Sequence, residues 1–333
     1  MKTLVTGATG FIGNHLIREL LGEKRNVRCL VRKSSNRAVL REFEKLGVET
    51  VSGDLLDKAS LQRAVRGVKI AYHVAGEVYS VSRDSTYYKV NVRGTENLVE
   101  ACLTENIRKF IYLSSIAAVG PNRDRNILLK EADECHPIVP YGKSKYEAEK
   151  ILLTYYREKD FPVVIVRPPI VYGPRQKSEL TNVFRAIKKG KFMIVGAGDN
   201  LKSLCYIDNL IQGMVLAEKK GKSGEIYFIA DEKPYSINEL CSTISRLEGK
   251  EVSYTHLPTF IADLSGFLFN VIHRLFKFSF LPLFTIKTVK LDFACDISKA
   301  GKELGYVPQI NLEEGLKRTL AWHNAEEEKH SNE

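Results

Sequence analysis

Residues 2–16 read Lys-Thr-Leu-Val-Thr-Gly-Ala-Thr-Gly-Phe-Ile-Gly-Asn-His-Leu, and this stretch decides the fold. Its apolar beginning predicts a β-strand, and 11–22 predicts a helix directly behind it. Gly7, Gly10 and Gly13 recur at every third position across the junction. Glycines there permit a tight turn and a close backbone approach to a pyrophosphate, which the helix N-terminus attracts. The stretch therefore predicts a dinucleotide-binding turn, although a purely structural turn also requires glycine.

The alternation of strand and helix patterns continues along the first half of the chain. Strands separated by helices form right-handed βαβ units with a buried parallel sheet. The predicted strands are 2–6, 26–31, 48–52, 69–74, 109–114, 162–166 and 225–230. The predicted helices are 11–22, 36–46, 58–66, 85–106 and 141–158. The fold class is therefore α/β, a Rossmann doubly wound parallel sheet with a smaller, discontinuous C-terminal substrate domain.

The second half of the chain is less regular, and its patterns divide it between two domains. We expect a dinucleotide-binding Rossmann domain over 1–170, completed by about 203–230 because an apolar strand pattern returns there. Residues 171–202 and 231–322 then form the substrate-binding domain. The charged end, 323–333, is expected to be a flexible tail.

Composition excludes several classes of protein. Of the 333 residues, 44% are apolar and 27% are charged, values that exclude a disordered chain or a disulfide scaffold. The net charge of +10 is spread along the chain and fits either solubility or an anionic ligand. No basic stripe or nucleic-acid module is present, so we expect no nucleic-acid partner. The six cysteines form no Cys-x-x-Cys pair, and we expect reduced thiols, a cytoplasmic location and no metal site.

The most apolar segment, 260–284, is too interrupted to span a membrane. Asp263, Arg274 and Lys277 lie within it, and Pro282 would break a helix. Its apolar and polar residues recur near helical spacing, which predicts an amphipathic helix. Packing on its own domain, a lid over an apolar substrate and a membrane-surface contact all fit this pattern.

The residues after the second predicted strand indicate which dinucleotide binds. An NAD site usually has an acidic residue there for the ribose hydroxyls. This chain has Arg32, Lys33 and Ser34 instead, which suit a 2′-phosphate unless the two cations are merely solvated. We therefore predict NADP, with NAD as the alternative. Asp54, before Leu55 at the end of the third strand, could accept a hydrogen bond from adenine or cap the next turn.

Three side chains form a candidate catalytic group. Tyr141 and Lys145 are four residues apart and so lie on one face of a predicted helix. A neighbouring ammonium favours the phenolate and lowers the pKa of a tyrosine from its usual value near 10. Ser114 and Ser115 end a predicted strand, where a hydroxyl can bind the same substrate oxygen. Such a pair also occurs by chance on a solvated helix, but here it follows a glycine-rich turn and a serine pair in order.

These motifs together resemble the extended short-chain dehydrogenase/reductase superfamily, over about residues 1–322. The matching segments are Thr-Gly-Ala-Thr-Gly-Phe-Ile-Gly at 6–13, Ser114-Ser115, Tyr141-Gly-Lys-Ser-Lys145 and Arg167-Pro-Pro-Ile-Val-Tyr-Gly-Pro174. The resemblance implies that Ser115 aids catalysis, that Tyr141 is the general acid/base and that Lys145 lowers its pKa and holds the nicotinamide ribose. It also implies a homodimer through the helices near 85–106 and 141–158, although the apolar faces of those helices fit a core equally well.

The resemblance extends the cofactor site beyond the turn. His73-Val74-Ala75-Gly76 matches the strand end beside the cofactor, and Pro168 with Pro169 matches positions near the nicotinamide. The expected cofactor-binding residues are Gly7, Thr9, Gly10, Phe11, Ile12, Gly13, Arg32, Lys33, Asp54, Leu55, Val74, Ala75, Gly76, Tyr141, Lys145, Pro168 and Ile170.

Two branches of the superfamily compete for the function. Nucleotide-sugar epimerases and dehydratases commonly have Asn at the position of Ile170, and an Arg on the sugar diphosphate where this chain has Lys202. Tyr206-Ile-Asp-Asn209 instead resembles the dihydroflavonol 4-reductase and 3β-hydroxysteroid dehydrogenase branch. We therefore expect an NAD(P)-dependent oxidoreductase acting on a secondary alcohol or ketone of an apolar, sterol- or flavonoid-like small molecule. The alternative is a nucleotide-sugar 4-epimerase or dehydratase with tightly bound NAD. A redox-sensing binding protein ranks last, because it would have a damaged catalytic group.

Overall fold

The computed structural model of the chain describes residues 1–78, 84–176, 179–188, 192–250, 254–258 and 290–331. The strands are β1 Lys2–Thr6, β2 Asn26–Val31, β3 Glu49–Ser52, β4 Val68–His73, β5 Lys109–Leu113, β6 Val163–Arg167, β7 Ile170–Tyr172, β8 Met193–Val195, β9 Leu201–Lys202, β10 Leu204–Tyr206, β11 Ile226–Phe228, β12 Tyr235–Ser236 and β13 Thr255–Leu257. The helices are α1 Phe11–Gly22, α2 Arg37–Lys45, α3 Lys58–Val65, α4 Asp84–Tyr87, α5 Gly94–Leu103, α6 Pro140–Lys159, α7 Glu179–Lys188, α8 Ile207–Lys220, α9 Ile237–Leu247, α10 Ser298–Leu304 and α11 Leu312–Ser331. The predicted amphipathic segment 260–284 lies outside the described residues.

Seven strands form one sheet in the order β11-β6-β5-β4-β1-β2-β3. All six neighbouring pairs are parallel, as the βαβ pattern predicted. Helices cover both faces, so the central strands are mainly apolar, and all five residues of β6, Arg167 included, are buried. The prediction of a Rossmann doubly wound sheet is confirmed, including the return of the second half of the chain to the sheet through β11.

Two hydrophobic clusters lie against the sheet, one on each face. The first packs α1 and α8 on the sheet through side chains such as Leu16 and Met214. The second packs α3, α5 and α6 through side chains such as Leu61, Leu98 and Leu152. The parallel strands therefore all end at one edge, where the loops that carry the predicted site residues meet.

The helix predicted over 85–106 is not uniform. It consists of α4, a π-helical segment at Tyr88–Arg93 and α5, which ends at Leu103. A π-helical turn inserts one extra residue into the helical ladder and is frequent at functional sites. Here it contains Asn91, a buried side chain that belongs to the candidate site.

The second half adds three small two-stranded sheets, β7 with β10, β9 with β12 and β8 with β13. A buried carboxylate joins several of these elements. Asp231 accepts hydrogen bonds from the Tyr172 hydroxyl at 3.0 Å, the Tyr206 backbone N–H at 2.9 Å and Asn209 Nδ2 at 2.8 Å. Asp231 is 2% exposed, so these donors replace the water that it loses on folding.

The tail predicted at 323–333 is helical as far as Ser331, where α11 ends, and its flexibility stays a prediction. Lys188 Nζ donates to Asn324 Oδ1 at 2.7 Å and to Glu327 Oε2 at 2.9 Å. A charged terminal sequence frays when it has no tertiary partner, and here α7 supplies one. Among the helices in the described ranges, none is both long enough and apolar enough to cross a membrane.

Candidate active site

The glycine-rich turn is shaped by backbone contacts that a side chain would prevent. Gly7 has φ +70°, and its carbonyl accepts the Gly10 N–H at 3.0 Å. A Cβ added to Gly7 would lie 2.6 Å from the Ala75 nitrogen, and one added to Gly13 would lie 2.2 Å from the Gly7 oxygen. The first turn of α1 has neither a capping side chain nor an acidic residue. Backbone N–H groups and the helix dipole therefore fit the pyrophosphate of a dinucleotide here.

The remaining side chains of this turn and the two cations after β2 are near the surface. Thr9, Phe11 and Ile12 are half-buried. Arg32 and Lys33 follow β2 directly and are exposed, and neither forms an ion pair within the described ranges. Both cations are thus available to an anionic group beyond β2.

The Asp54 side chain fills the capping role that the sequence allowed, and its contact with adenine stays a prediction. Its carboxylate accepts the Leu56 N–H at 2.9 Å and so caps the turn after β3. Leu55 is buried against Gly94, where an added Cβ would approach the Leu55 Cβ to 2.9 Å.

A buried chain of hydrogen bonds runs behind the end of β4. The Thr6 hydroxyl accepts the Ala75 N–H at 3.2 Å and lies 2.8 Å from His73 Nδ1. His73 Nε2 lies 2.9 Å from the Thr95 hydroxyl, which donates to the Asn91 carbonyl at 2.6 Å. These roles are all satisfied by a neutral imidazole that carries its proton on Nε2.

Ser115 and Tyr141 lie on two turns that pack against each other. The Ser115 hydroxyl accepts the Ala117 N–H at 3.2 Å and caps the short 3-10 helix after β5. A Cβ added to Gly142 would lie 2.2 Å from the Ala117 oxygen, so the first turn of α6 contacts this 3-10 helix directly. The half-buried Tyr141 ring lies edge-on to the Tyr87 ring, with centroids 6.3 Å apart.

Lys145 lies beneath this pair, on the next turn of α6. It is only 3% exposed, and its Nζ donates to the Leu113 carbonyl at 2.7 Å. Burial lowers the pKa of Lys145 to about 8, against the opposing influence of the Glu149 charge. A Cβ added to Gly76 would lie 3.2 Å from Nζ, so the end of β4 reaches the amine. The lysine thus faces the interior of the site and not solvent.

The sequence reasoning missed Asn91, which ties the segment after β4 to the first turn of α6. Its Oδ1 accepts the Glu77 N–H at 2.7 Å, and its Nδ2 donates to the Ser144 hydroxyl at 2.9 Å. Ser144 in turn donates to the Tyr141 carbonyl at 2.7 Å. A signal was present, because Asn91 and Thr95 are polar residues four apart on a helix whose other buried residues are mainly apolar.

A buried ion pair, also missed, connects α6 to the end of β6. Arg167 Nη2 and Nε donate to the two Glu149 carboxylate oxygens at 2.6 and 2.9 Å, with the two side chains 2% and 1% exposed. Pro168 and Pro169 follow and are buried, whereas Ile170 is 47% exposed. The pair thus links the helix of Tyr141 to the segment expected beside the nicotinamide.

Comparisons with known proteins identify the family and the fold of this chain. Residues 4–259 match the 3-beta hydroxysteroid dehydrogenase/isomerase family. An uncharacterized protein of Sinorhizobium fredii, y4nL, is 32% identical, covering 96% of this chain and 94% of that protein. N-acetyl-alpha-D-glucosaminyl-diphospho-ditrans,octacis-undecaprenol 4-epimerase of Escherichia coli O157:H7 is 29% identical, covering 96% and 95%. A 4-hydroxy-2-methyl-3-oxo-4-farnesyl-3,4-dihydroquinoline-1-oxide ketoreductase of Stigmatella aurantiaca is 26% identical, covering 95% of each.

Solved structures share the fold over nearly the whole chain. The crystal structure of gox2253 superposes with a TM-score of 0.83 at 31% identity, covering 97% of this chain and 98% of that one. A dTDP-glucose 4,6-dehydratase double mutant from Streptomyces venezuelae, solved with NAD and DAU bound, has a TM-score of 0.80 at 26% identity, covering 97% of each.

Proposed function

The chain belongs to the 3-beta hydroxysteroid dehydrogenase/isomerase family of NAD-dependent enzymes, and on that premise we propose that it is a net oxidoreductase. The proposed reaction is reversible hydride transfer between a nicotinamide and a secondary alcohol or ketone. The observation that carries the proposal is the arrangement of Ser115, Tyr141 and Lys145 on contacting turns at the carboxyl edge of the sheet. A bound nicotinamide cofactor would accept or supply the hydride.

Each of the three residues has a separate task in this proposal. The Tyr141 hydroxyl gives a proton to the carbonyl oxygen, or takes one from the alcohol. The Ser115 hydroxyl donates a hydrogen bond to the same oxygen and orients it. The Lys145 ammonium favours the Tyr141 phenolate and binds the ribose hydroxyls of the cofactor.

Replacing Tyr141 tests this assignment. We expect Tyr141→Phe to lower turnover about 100- to 10,000-fold, the usual range for general acid–base catalysis, while the dissociation constant for the cofactor is unchanged. Tyr146→Phe, on the same helix, is the matched control and should retain activity. Turnover by Tyr141→Phe at the rate of the control would refute the assignment.

For the cofactor we propose NADP in preference to NAD. The support is the exposed Arg32 and Lys33 directly after β2, which form no ion pair with any described residue, at a position where NAD enzymes usually have an acid. We expect Arg32→Ala to weaken NADPH binding about 10-fold and to leave NADH binding unchanged, as for loss of one charged phosphate contact. Arg41→Ala, on α2, is the control, and calorimetry with both nucleotides is the measurement. Equal weakening of both nucleotides would contradict the preference.

For the substrate we propose an apolar small molecule. The support is the exposed Ile170, next to the segment expected beside the nicotinamide. Lys202, at the position that would face a sugar diphosphate, is instead buried, with Nζ donating to the Leu291 carbonyl at 2.5 Å and lying 5.0 Å from the centre of the Phe293 ring. A lysine held in this way cannot donate two parallel hydrogen bonds to a diphosphate, as an arginine does.

A second candidate is a nucleotide-sugar 4-epimerase or dehydratase with tightly bound NAD. It is favoured by the epimerase name of the Escherichia coli relative and by the NAD-bound dehydratase structure, which share the fold over nearly the whole chain. Such an enzyme returns the hydride within one cycle, so it needs no added cofactor. The test incubates purified protein with nucleotide sugars and, separately, with apolar ketones plus NADPH. Sugar product without consumption of added nucleotide would favour the epimerase, and ketone-dependent NADPH oxidation would favour the reductase.

A further inference from the structure

The Lys145 ammonium is buried without a carboxylate of its own. Within the described ranges, no carboxylate oxygen forms an ion pair with Nζ. Glu149, one turn further along α6, is engaged in both of its oxygens by Arg167. A buried cation without an ion pair depends on neutral groups as well as on nearby charge for its stabilisation.

Several groups face Lys145 from the surrounding elements. From β4 comes His73, whose pKa is lowered to about 3 by burial and by the nearby lysine charge, so it adds no second cation. From α6 comes the Glu149 carboxylate, whose charge favours the ammonium, and Tyr141 lies one turn earlier on the same helix. From β5 come the Leu113 carbonyl, at 2.7 Å, and the ring of Tyr112.

Tyr112 presents its ring, and not its hydroxyl, to the lysine. Nζ lies 4.8 Å from the ring centroid, within the range of a cation–π interaction. The residue is 1% exposed, so its ring is shielded from water. The His73 ring lies 5.5 Å away, tilted by 38°. Because the ring is buried, its interaction with a cation is stronger than at an exposed site.

We propose that Tyr112 is a positioning residue, whose ring face holds Lys145 as an ammonium where it can act on Tyr141. The proposal rests on the proposed function, because it assumes that Tyr141 responds to the charge of Lys145. It adds that this charge is supported by an aromatic face on β5, beneath the site. A tyrosine with only a packing role would stabilise the fold but would not affect the ionisation of Tyr141.

The test measures the ionisation of Tyr141 directly, without a substrate. Tyrosinate is followed by its ultraviolet absorbance while the full-length protein is titrated with base. The same titration of a protein that also carries Tyr141→Phe is subtracted, which leaves the signal of Tyr141. We expect Tyr112→Leu to raise the apparent pKa of Tyr141 by about one unit, the size of a desolvated cation–π interaction. Tyr112→Phe keeps the ring, and we expect it to leave the pKa within a few tenths of a unit.

A second variant tests the electrostatics of the ring face separately from the packing of the ring. A ring-fluorinated phenylalanine at position 112 packs like phenylalanine but weakens the electrostatic attraction of the ring face. We expect it to match Tyr112→Phe in thermal unfolding and to approach Tyr112→Leu in the titration. If it titrates like Tyr112→Phe, the proposal is overturned, and this variant decides the question even if Tyr112→Leu does not fold.

Lys145→Met distinguishes failure of this inference from failure of the proposed function. If Lys145→Met raises the pKa of Tyr141 but the ring variants do not, Tyr112 has only a packing role. If Lys145→Met has no effect on Tyr141, the proposed catalytic pairing fails, and the inference fails with it.

Discussion

Strands β1 to β6 have four to six residues and pair in parallel within one sheet, whereas the strands outside that sheet have two or three residues and form separate pairs. In the first region the site is built from turns that follow successive strands, with backbone contacts between Gly7, Gly13 and Ala75. In the second region side chains distant in sequence hold the elements together, as at Asp231.

The difference shows which parts of the structure follow from local sequence and which depend on contacts between distant residues. Parallel strands with short connections bring their carboxyl ends to one edge whatever the side chains are, so the candidate cofactor and catalytic positions follow from local sequence. Short strands paired across long separations have no such constraint, and their arrangement depends on buried polar contacts. Substitutions in the two regions should therefore differ in size and in kind.

The largest effect on stability is expected at the buried ion pair of the first region. Glu149→Gln leaves Arg167 buried without its counter-ion, and we expect the free energy of unfolding to fall by about 3–5 kcal/mol. Glu313→Gln breaks the exposed pair with Arg246 in the second region and should lower the free energy of unfolding far less, because solvent screens this pair. Denaturant unfolding of both variants is the measurement. Equal losses of unfolding free energy in the two variants would contradict the proposed difference between the regions.

The second effect concerns the pH dependence of the second region. Burial raises the pKa of Asp231 to about 6, despite its three donors. The folded state then holds a proton that the unfolded state releases near its ordinary pKa of about 4, so this group's contribution to stability falls as pH rises between the two values. We expect the unfolding free energy of the wild type, relative to Asp231→Asn, to drop by about 2–3 kcal/mol from about pH 4 to about pH 7.

The control for this measurement is Asp208→Asn, which removes a carboxylate at the start of α8 that is 54% exposed. Its unfolding free energy should follow the wild type across the same pH range. A constant difference between wild type and Asp231→Asn would show that the buried carboxylate does not titrate as inferred.

The third effect compares a glycine required by close backbone packing with an ordinary glycine inside a helix. Gly13→Ala places a Cβ 2.2 Å from the Gly7 oxygen, and we expect the dissociation constant for the nucleotide to rise about 10- to 100-fold. Gly301→Ala, in α10 of the second region, meets only the Tyr306 oxygen at 3.7 Å and should bind nucleotide normally. Calorimetry with NAD and NADP measures both. Unchanged binding by Gly13→Ala would contradict the proposed phosphate turn.

Much of the first region could be predicted from local pattern. Period and turn signals located β1 to β6, and the spacing of Tyr141 and Lys145 placed them on one helical face. The features that local pattern did not predict are equally informative. Asn91, Glu149 and Tyr112 were missed because each acts through a residue distant in sequence, and the contact of Glu327 with Lys188 was missed for the same reason.

The sequence by itself determined the order of strands and helices, the glycine turn and the positions of the catalytic candidates, because these depend on local periodicity and backbone sterics. Only the tertiary structure decided that Lys145 is buried over the Tyr112 ring, that Arg167 neutralises Glu149 and that Asp54 caps a turn. The physical reason is that burial and charge compensation are set by residues brought together across the sheet, and these contacts leave no periodic signal along the chain.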